Sequence, residues 1–160
     1  MSPLKHFANS FIDRINALWG KYEAMIWFPF YQHYRISSRY GWRTHPITGK
    51  KQFHNGIDIS APEGTPIYAP SGGIISEVWH DAINGNAMRI EHHNGKMSGF
   101  AHCQHILLSE GNDVDHATAV ATVGNTGRSS GAHLHWTLWK SKNTKDGHVN
   151  PKNWFQYRDE

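Results

Sequence analysis

The chain has 160 residues, enough for one domain with an appendage but short for two domains of ordinary size. Its composition, 38% hydrophobic, 12% aromatic and 18% charged, excludes a disordered or collagen-like chain. The net charge of +3 favours anionic partners, but the basic residues form no dense cluster, so we expect no nucleic acid among them. The single cysteine, Cys103, excludes an internal disulfide framework and any multi-cysteine metal site.

Histidine is in excess, at 13 of 160 residues. Histidine is the commonest metal ligand in proteins and the side chain that titrates nearest neutral pH, so the excess raises the possibility of a metal or acid–base site. The alternative is a protein that carries many histidines on its surface. Composition leaves both interpretations open.

The first segment predicts an amphipathic α-helix over residues 3–26, with Ser2 as N-cap and Pro3 at the first helical position. We expect its apolar stripe to pack on the protein's own core, and the alternative is docking to a partner or to a second copy of the chain. The longest apolar run, residues 25–31, is far shorter than the ~20 residues of a membrane span, which predicts no spanning helix. The stripe consists of Leu4, Phe7, Phe11, Ile15, Leu18, Tyr22 and Met25.

From Arg35 onward, short β-rich runs alternate with Gly, Pro and Asn, which predicts a mainly β fold with an antiparallel sheet. The sequence around Asn84-Gly85-Asn86 and that around Asn94-Gly95 are typical of turns, the second of a hairpin. The predicted strands are residues 74–79, 87–91, 98–102, 119–123 and 133–139.

The last of these strands carries two histidines on one face. His133 and His135 are two residues apart, so their side chains point the same way and stand ~6.6 Å apart, close enough to share one metal or a metal and its substrate. A single H-x-H pair is weak evidence of a site.

A second candidate pair is His54 and Asp58. In a straight strand the two would be ~13 Å apart, too far to share an ion, but Asn55-Gly56 predicts a turn that lets them converge. With one histidine of the strand pair they make two nitrogens and one oxygen, a set that suits zinc with an open fourth position. Two unrelated surface groups are the alternative.

Four separated elements resemble the lysostaphin/LytM-type (M23) zinc metallopeptidases, in order, over roughly residues 36–155. The first element is Gly41-Trp42-Arg43-Thr44-His45-Pro46-Ile47-Thr48-Gly49, and His54-Asn55-Gly56-Ile57-Asp58-Ile59 with residues 61–69 follows it. Phe100-Ala101-His102 resembles the Tyr-Ala-His element of the family, and residues 124–136 resemble its signature around H-L-H.

The resemblance implies one zinc ion held by His54, Asp58 and His135, with His102 and His133 as the catalytic histidines. It implies hydrolysis of peptide cross-links in bacterial peptidoglycan, at either D-alanyl–diaminopimelate or glycine–glycine bonds. It also implies an antiparallel β core with a substrate groove. No H-E-x-x-H motif is present, so the two histidines replace the glutamate base of that motif.

The resemblance divides the chain into an N-terminal helical extension, residues 1–35, and a zinc metallopeptidase domain, residues 36–160. Tyr40 and Asn150, near the two ends of that domain, are candidates to bind substrate, with a turn or packing role as the alternative. We expect His45 to be structural and Arg43 to brace its loop.

Three positions depart from the family pattern. Cys103 replaces a common leucine, Ala132 a common proline and Thr137 a common acidic residue, and none of them is an implied ligand or catalytic histidine. Cys103 follows His102 in a strand and so faces the opposite side, which favours a buried small residue over a nucleophile.

Two other functions compete with the enzyme. A non-catalytic LytM-like module, binding cell wall or activating an amidase, would have lost ligands that are all present here. A metal-buffering protein would carry its histidines in tracts, whereas the remaining eight are scattered and expected at the surface: His6, His33, His80, His92, His93, His105, His116 and His148.

The expected setting follows from the start of the chain. It shows no apolar region of a secretory signal, so we expect a protein made in the cytoplasm that acts on the cell wall as a phage lysin or virion-associated protein.

Overall fold

The computed structural model describes residues 3–142 and 146–159. It contains one long helix, α1, followed by short and medium strands and a single turn of 3-10 helix, Pro151–Asn153, before the last strand. In chain order the elements are α1, Pro3–Ala24; β1, Ile26–Trp27; β2, Ile36–Ser38; β3, Gly41–Thr44; β4, Lys51–His54; β5, Ile57–Ser60; β6, Pro66–Tyr68; β7, Gly73–Asp81; β8, Gly85–His92; β9, Met97–Ile106; β10, Asp113–Val114; β11, Ala119–Val123; β12, His133–Trp139; β13, His148–Val149; and β14, Phe155–Gln156.

Ten of the strands form one antiparallel sheet, which confirms the predicted mainly β fold. Its main path runs β10-β7-β8-β9-β12-β5-β2, while β11 pairs with β6 and β9, and β13 pairs with β12. Strands β11 and β12 have the predicted bounds, and β7, β8 and β9 are longer than predicted. The strands that the sequence did not predict are all two to four residues long, too short to show a period.

Strand β12 lies between β9 and β5 and separates the core from the side that carries the histidines. Leu134, Trp136 and Leu138 are fully buried in the core, as the alternation of the strand predicts. His133 and His135 emerge on the other face. The burial of this strand therefore fixes which way the two histidines point.

Residues 26–30 pack with the sheet, although the predicted division placed them in the extension. Phe28 and Phe30 belong to the hydrophobic core, and β1 pairs with β14. Arg158 joins these ends to the sheet, since its Nε donates to the Phe28 carbonyl at 2.7 Å and its Nη2 to the Ala69 carbonyl at 2.8 Å. Its guanidinium also lies 5.1 Å from the centre of the Tyr31 ring, a cation–π contact.

Helix α1 confirms the predicted helix with an end two residues earlier. The expectation that its stripe packs on the core is wrong for Phe11, Ile15 and Leu18, because all three side chains are exposed, Phe11 by 62%. Docking of the stripe to a partner stays a prediction. Ser2 and the side chains of Leu4, Phe7 and Tyr22 lie outside the described residues. Among the described residues, no helix combines the length and apolarity needed to cross a bilayer.

His92 corrects the expectation that it lies at the surface, because only 4% of it is exposed. Its Nδ1 donates to the Ser71 carbonyl at 3.0 Å, and its Nε2 accepts the Ser98 hydroxyl at 2.7 Å. The Ser98 oxygen in turn accepts from the Trp136 indole at 3.3 Å. This network is satisfied by a neutral imidazole, and burial lowers the pKa of His92 to about 4.

This burial makes the stability of the fold depend on pH. The pKa of His92 is about 4 in the folded chain and near 6.5 in the unfolded chain, so the unfolded state binds more protons between these values. We expect the free energy of unfolding to be highest above pH 6.5 and to fall by up to about 3 kcal/mol as the pH drops to 4. Urea unfolding across this range measures it.

His92→Asn is the matched variant, because an amide keeps a donor for Ser71 but does not titrate. We expect it to be less stable than wild type at pH 7 and to show a smaller loss between pH 6.5 and 4. Equal pH dependence in both proteins would contradict this role of His92.

Candidate metal centre and catalytic cleft

The positions of β4, β5 and β12 bring the three predicted metal ligands together. Asp58 on β5 lies directly opposite His135 on β12, and His54 ends β4 just before the turn that leads into β5. At that turn a Cβ on Gly56 would lie 2.3 Å from the Trp136 carbonyl oxygen, so only glycine allows the backbone to approach β12 this closely. The predicted convergence of His54 and Asp58 is confirmed.

Three ligand atoms meet there in a nearly equilateral triangle. His54 Nε2 lies 3.1 Å from Asp58 Oδ1 and 3.0 Å from His135 Nδ1, and the last two atoms are 3.0 Å apart. His54 is only 5% exposed and Asp58 only 7%, so they are not unrelated surface groups. Zinc with bonds of about 2.0–2.1 Å in tetrahedral geometry places its ligand atoms about 3.3 Å apart, close to this triangle.

Hydrogen bonds on the far side of each ring determine which nitrogen carries the proton. His54 Nδ1 donates to the Arg39 carbonyl at 2.8 Å, and His135 Nε2 donates to Asn55 Oδ1 at 3.1 Å. The Thr137 hydroxyl also lies 3.0 Å from His135 Nε2. In neutral imidazoles the inner nitrogens therefore present lone pairs to each other and to Asp58, and such a group of acceptors needs a cation or a shared proton between them.

Arg43, which the sequence led us to expect as a brace of its own loop, holds the remaining carboxylate oxygen of Asp58. Arg43 Nη1 lies 3.3 Å from Asp58 Oδ2 and donates to Ser38 Oγ at 2.9 Å. Burial raises the pKa of Asp58, but hydrogen bonds through a proton shared with His135 and His54 outweigh it and hold the pKa well below its usual range. Asp58 is therefore an anion, and the donor set of two imidazoles and one carboxylate fits Zn²⁺.

His102 and His133 lie beside this triangle. Their ring centres are 4.8 Å apart, and His133 Nε2 is 3.7 Å from Asp58 Oδ1. His102 Nδ1 donates to the Thr126 carbonyl at 2.8 Å and His133 Nδ1 to the Gly131 carbonyl at 2.7 Å, so in the neutral form of each ring Nε2 has the lone pair. Burial lowers the pKa of His102 to about 4, which keeps that ring neutral.

The backbone of His102 is strained and held by its neighbours. Its φ of 62° is in the left-handed region, which costs a residue other than glycine roughly 1–3 kcal/mol. Its amide donates to the Asn84 carbonyl at 2.7 Å, and Asp81 fixes Asn84 by accepting from both its backbone and its side-chain nitrogen. The turn after β7 thus holds this histidine beside the triangle.

The five predicted residues line one cleft of about 700 Å³. Tyr40 and Asn150 lie outside its lining: the Tyr40 hydroxyl contacts His148 Nδ1 at 2.8 Å, and Asn150 caps the 3-10 helix. Their predicted role in binding substrate stays a prediction. His45 also lines the cleft, and its Nδ1 accepts the amide of Ile47 and so holds a turn, as expected for a structural residue.

Cys103 is buried next to His102, as expected for a small apolar residue. Burial raises the pKa of its thiol to about 12, so the thiol stays protonated and is not a nucleophile.

Sequence reasoning missed the groups that orient the rings. Asn55 had a signal, because it lies inside the His54–Asp58 motif. Thr137 stood out only as a departure from the family pattern, yet its hydroxyl reaches the outer nitrogen of His135. The carbonyls of Arg39, Thr126 and Gly131 carry no sequence signal, because any residue supplies a carbonyl.

Comparison with known proteins agrees with this geometry. The model of peptidase family M23 matches residues 52–151. The DD-carboxypeptidase/endopeptidase Mpg of Neisseria meningitidis is 43% identical over 102 residues, which are 64% of this chain and 24% of that protein. The peptidoglycan DD-endopeptidase ShyC of Vibrio cholerae is 38% identical over 103 residues, again 64% and 24%. The chain thus spans about a quarter of the length of these curated relatives.

Solved structures share the fold. A zinc-containing peptidase from Vibrio cholerae superposes with a TM-score of 0.68 at 31% identity, covering 79% of this chain and 39% of that one. The catalytic domain of lysostaphin from Staphylococcus simulans gives a TM-score of 0.69 at 23% identity, covering 77% and 92%. The fold is therefore lysostaphin-like.

The ligand triangle predicts which substitutions remove zinc. His54→Ala or Asp58→Ala leaves two ligands, so we expect each variant to lose its zinc on dialysis, while wild type retains one ion per chain. Elemental analysis of the dialysed proteins measures this. His102→Ala is the control, because His102 lies outside the triangle, and its zinc content should match wild type. Zinc retained by both ligand variants would refute the assignment.

Thr137 predicts a weaker effect on the same site. Thr137→Val removes the hydroxyl at His135 Nε2 but no ligand, so we expect zinc affinity to fall about 10-fold, the low end for loss of a group that orients a ligand. Competition with a zinc chelator measures the affinity. Thr137→Ser keeps the hydroxyl and should bind as wild type does, and a Val variant of unchanged affinity would show that the contact is dispensable.

Proposed function

The chain belongs to peptidase family M23, and we propose that it is a zinc-dependent endopeptidase that hydrolyses peptide cross-links of bacterial peptidoglycan. One observation carries the proposal: two histidines, His102 and His133, each bound through Nδ1 to a backbone carbonyl, lie beside a triangle of ligand atoms in an open cleft. A structural zinc site would have four protein ligands and no such neighbours. The names of the relatives supply the substrate class.

Hydrolysis of an amide requires a stronger nucleophile than water and a proton for the departing amine. Zinc, when bound, supplies a Lewis acid that polarises the scissile carbonyl and makes water nucleophilic at neutral pH. His54, Asp58 and His135 would hold the ion, and their outer hydrogen bonds keep their lone pairs aimed at it.

His102 and His133 transfer the protons of the reaction. Each donates its Nδ1 proton to a backbone carbonyl, so each ring is fixed in orientation and only Nε2 is free to accept. One of these nitrogens takes a proton from the attacking water, and the pair passes that same proton to the departing amine, so no net proton remains on the protein. Proton transfer by a positioned side chain contributes about 10²- to 10⁴-fold.

The cleft is suited to an extended peptide. Its lining includes Gln52 of the β3–β4 hairpin and Ser130 of the loop before β12. Both side chains offer hydrogen-bonding groups to a peptide backbone.

The proposal predicts that the two histidines are needed for activity and not for zinc. We expect His102→Ala and His133→Ala each to slow the cleavage of cross-linked muropeptides by about 10²- to 10⁴-fold, with zinc content and thermal unfolding close to wild type. Mass spectrometry of the digest measures the rate and names the bond that is cut.

His105→Ala is the matched control, because His105 is an exposed histidine of β9 that lies outside the cleft lining. It should cleave at the wild-type rate. A His133→Ala protein as active as wild type would overturn the catalytic role, and wild-type protein that leaves every cross-link intact would overturn the function.

A further inference from the structure

We propose that Arg128 binds a free carboxylate of the substrate next to the scissile amide, and so selects diaminopimelate-type cross-links over glycine–glycine bridges. The proposal rests on the proposed function and deepens it, since it assigns the residue that distinguishes the two kinds of bond. Arg128 lines the same cleft as the ligand triangle, on the loop that leads into β12.

The backbone of Arg128 is held firmly. Its amide donates to the Ile83 carbonyl at 2.9 Å, and the preceding Gly127 has a φ of 73° and packs so closely that an added Cβ would lie 2.3 Å from the Gly85 nitrogen. Thr126 in the same loop accepts the proton of His102 Nδ1. One rigid segment therefore positions both a catalytic histidine and the base of the arginine side chain.

The guanidinium of Arg128 is exposed and uncommitted. Among residues 3–142 and 146–159, no carboxylate forms an ion pair with it, whereas Arg43, the other arginine of the cleft, is bound to Asp58. Asp58 is the one carboxylate among the described residues that line the cleft. The charges of Arg43 and Asp58 offset each other, so Arg128 adds a free positive charge to the cleft.

A carboxylate is the ligand that this arrangement fits. Guanidinium groups bind carboxylates through two parallel hydrogen bonds, and these charge-assisted bonds are about twice as strong as neutral ones. In a D-alanyl–diaminopimelate cross-link, the carbon attached to the scissile nitrogen carries a free carboxylate. In a glycine–glycine bridge that carbon carries only hydrogens and an amide, so the same arginine has no partner there.

The test compares three cross-linked muropeptides: one with the free diaminopimelate carboxylate, one in which that group is an amide, and one with a glycine bridge. We expect wild type to prefer the free carboxylate. Arg128→Gln should lower kcat/KM on that substrate about 10- to 100-fold, mainly through KM, and leave the amide substrate within about 2-fold. Arg128→Lys should retain part of the preference, because it keeps the charge without the planar fork.

Arg14→Gln is the matched control, because it removes the same charge from an exposed position on α1 that is not part of the cleft lining. It should cleave all three substrates as wild type does. Suppose that wild type cleaves these substrates. If Arg128→Gln then loses activity equally on the acid and the amide, or keeps full activity on both, the carboxylate proposal is overturned and the proposed function stands. Wild type that cleaves none of the three overturns the proposed function, and the carboxylate proposal with it.

Discussion

The pairing of β5 with β12 is the constraint on which the rest of the site depends. This pairing sets Asp58 opposite His135. Strand β12 also pairs with β9, so that His135 lies opposite Ala101, the residue next to His102. A slip of one residue would turn both histidines of β12 toward the core and Leu134 and Trp136 toward the cleft. Since these two apolar side chains are fully buried, the hydrophobic core itself holds the metal ligands in register.

In each of the four site histidines, one ring nitrogen points away from the centre of the site and donates a hydrogen bond to a fixed acceptor. The acceptors come from the segment before β3, from the β4–β5 turn and from the loop before β12, which are far apart in sequence. The strained backbone of His102 is maintained by the turn after β7. The loop at residues 124–131 thus orients two histidines and, in our proposal, also carries the residue that selects the substrate.

Short-range pattern was enough to predict much of this. The alternation of β12 predicts that His133 and His135 share a face, and Asn55-Gly56 predicts the turn that joins His54 to Asp58. The acceptor carbonyls and Thr137 were not predictable, because they depend on contacts between distant segments. His92 was misplaced for the same reason: a histidine that closes a strand is exposed or buried according to what packs over it. The exposed stripe of α1 shows that amphipathic periodicity predicts a helix but does not identify what its apolar face packs against.

X-ray absorption spectroscopy at the zinc edge of the zinc-loaded protein tests the ligand triangle most directly. The triangle of His54, Asp58 and His135 predicts one four-coordinate zinc ion, bound by two imidazole nitrogens and at least one carboxylate oxygen at about 2.0–2.1 Å and by no sulfur. A third imidazole would place His102 or His133 on the metal and remove it from proton transfer. A sulfur shell near 2.3 Å or a six-coordinate oxygen shell would contradict the assigned ligands outright.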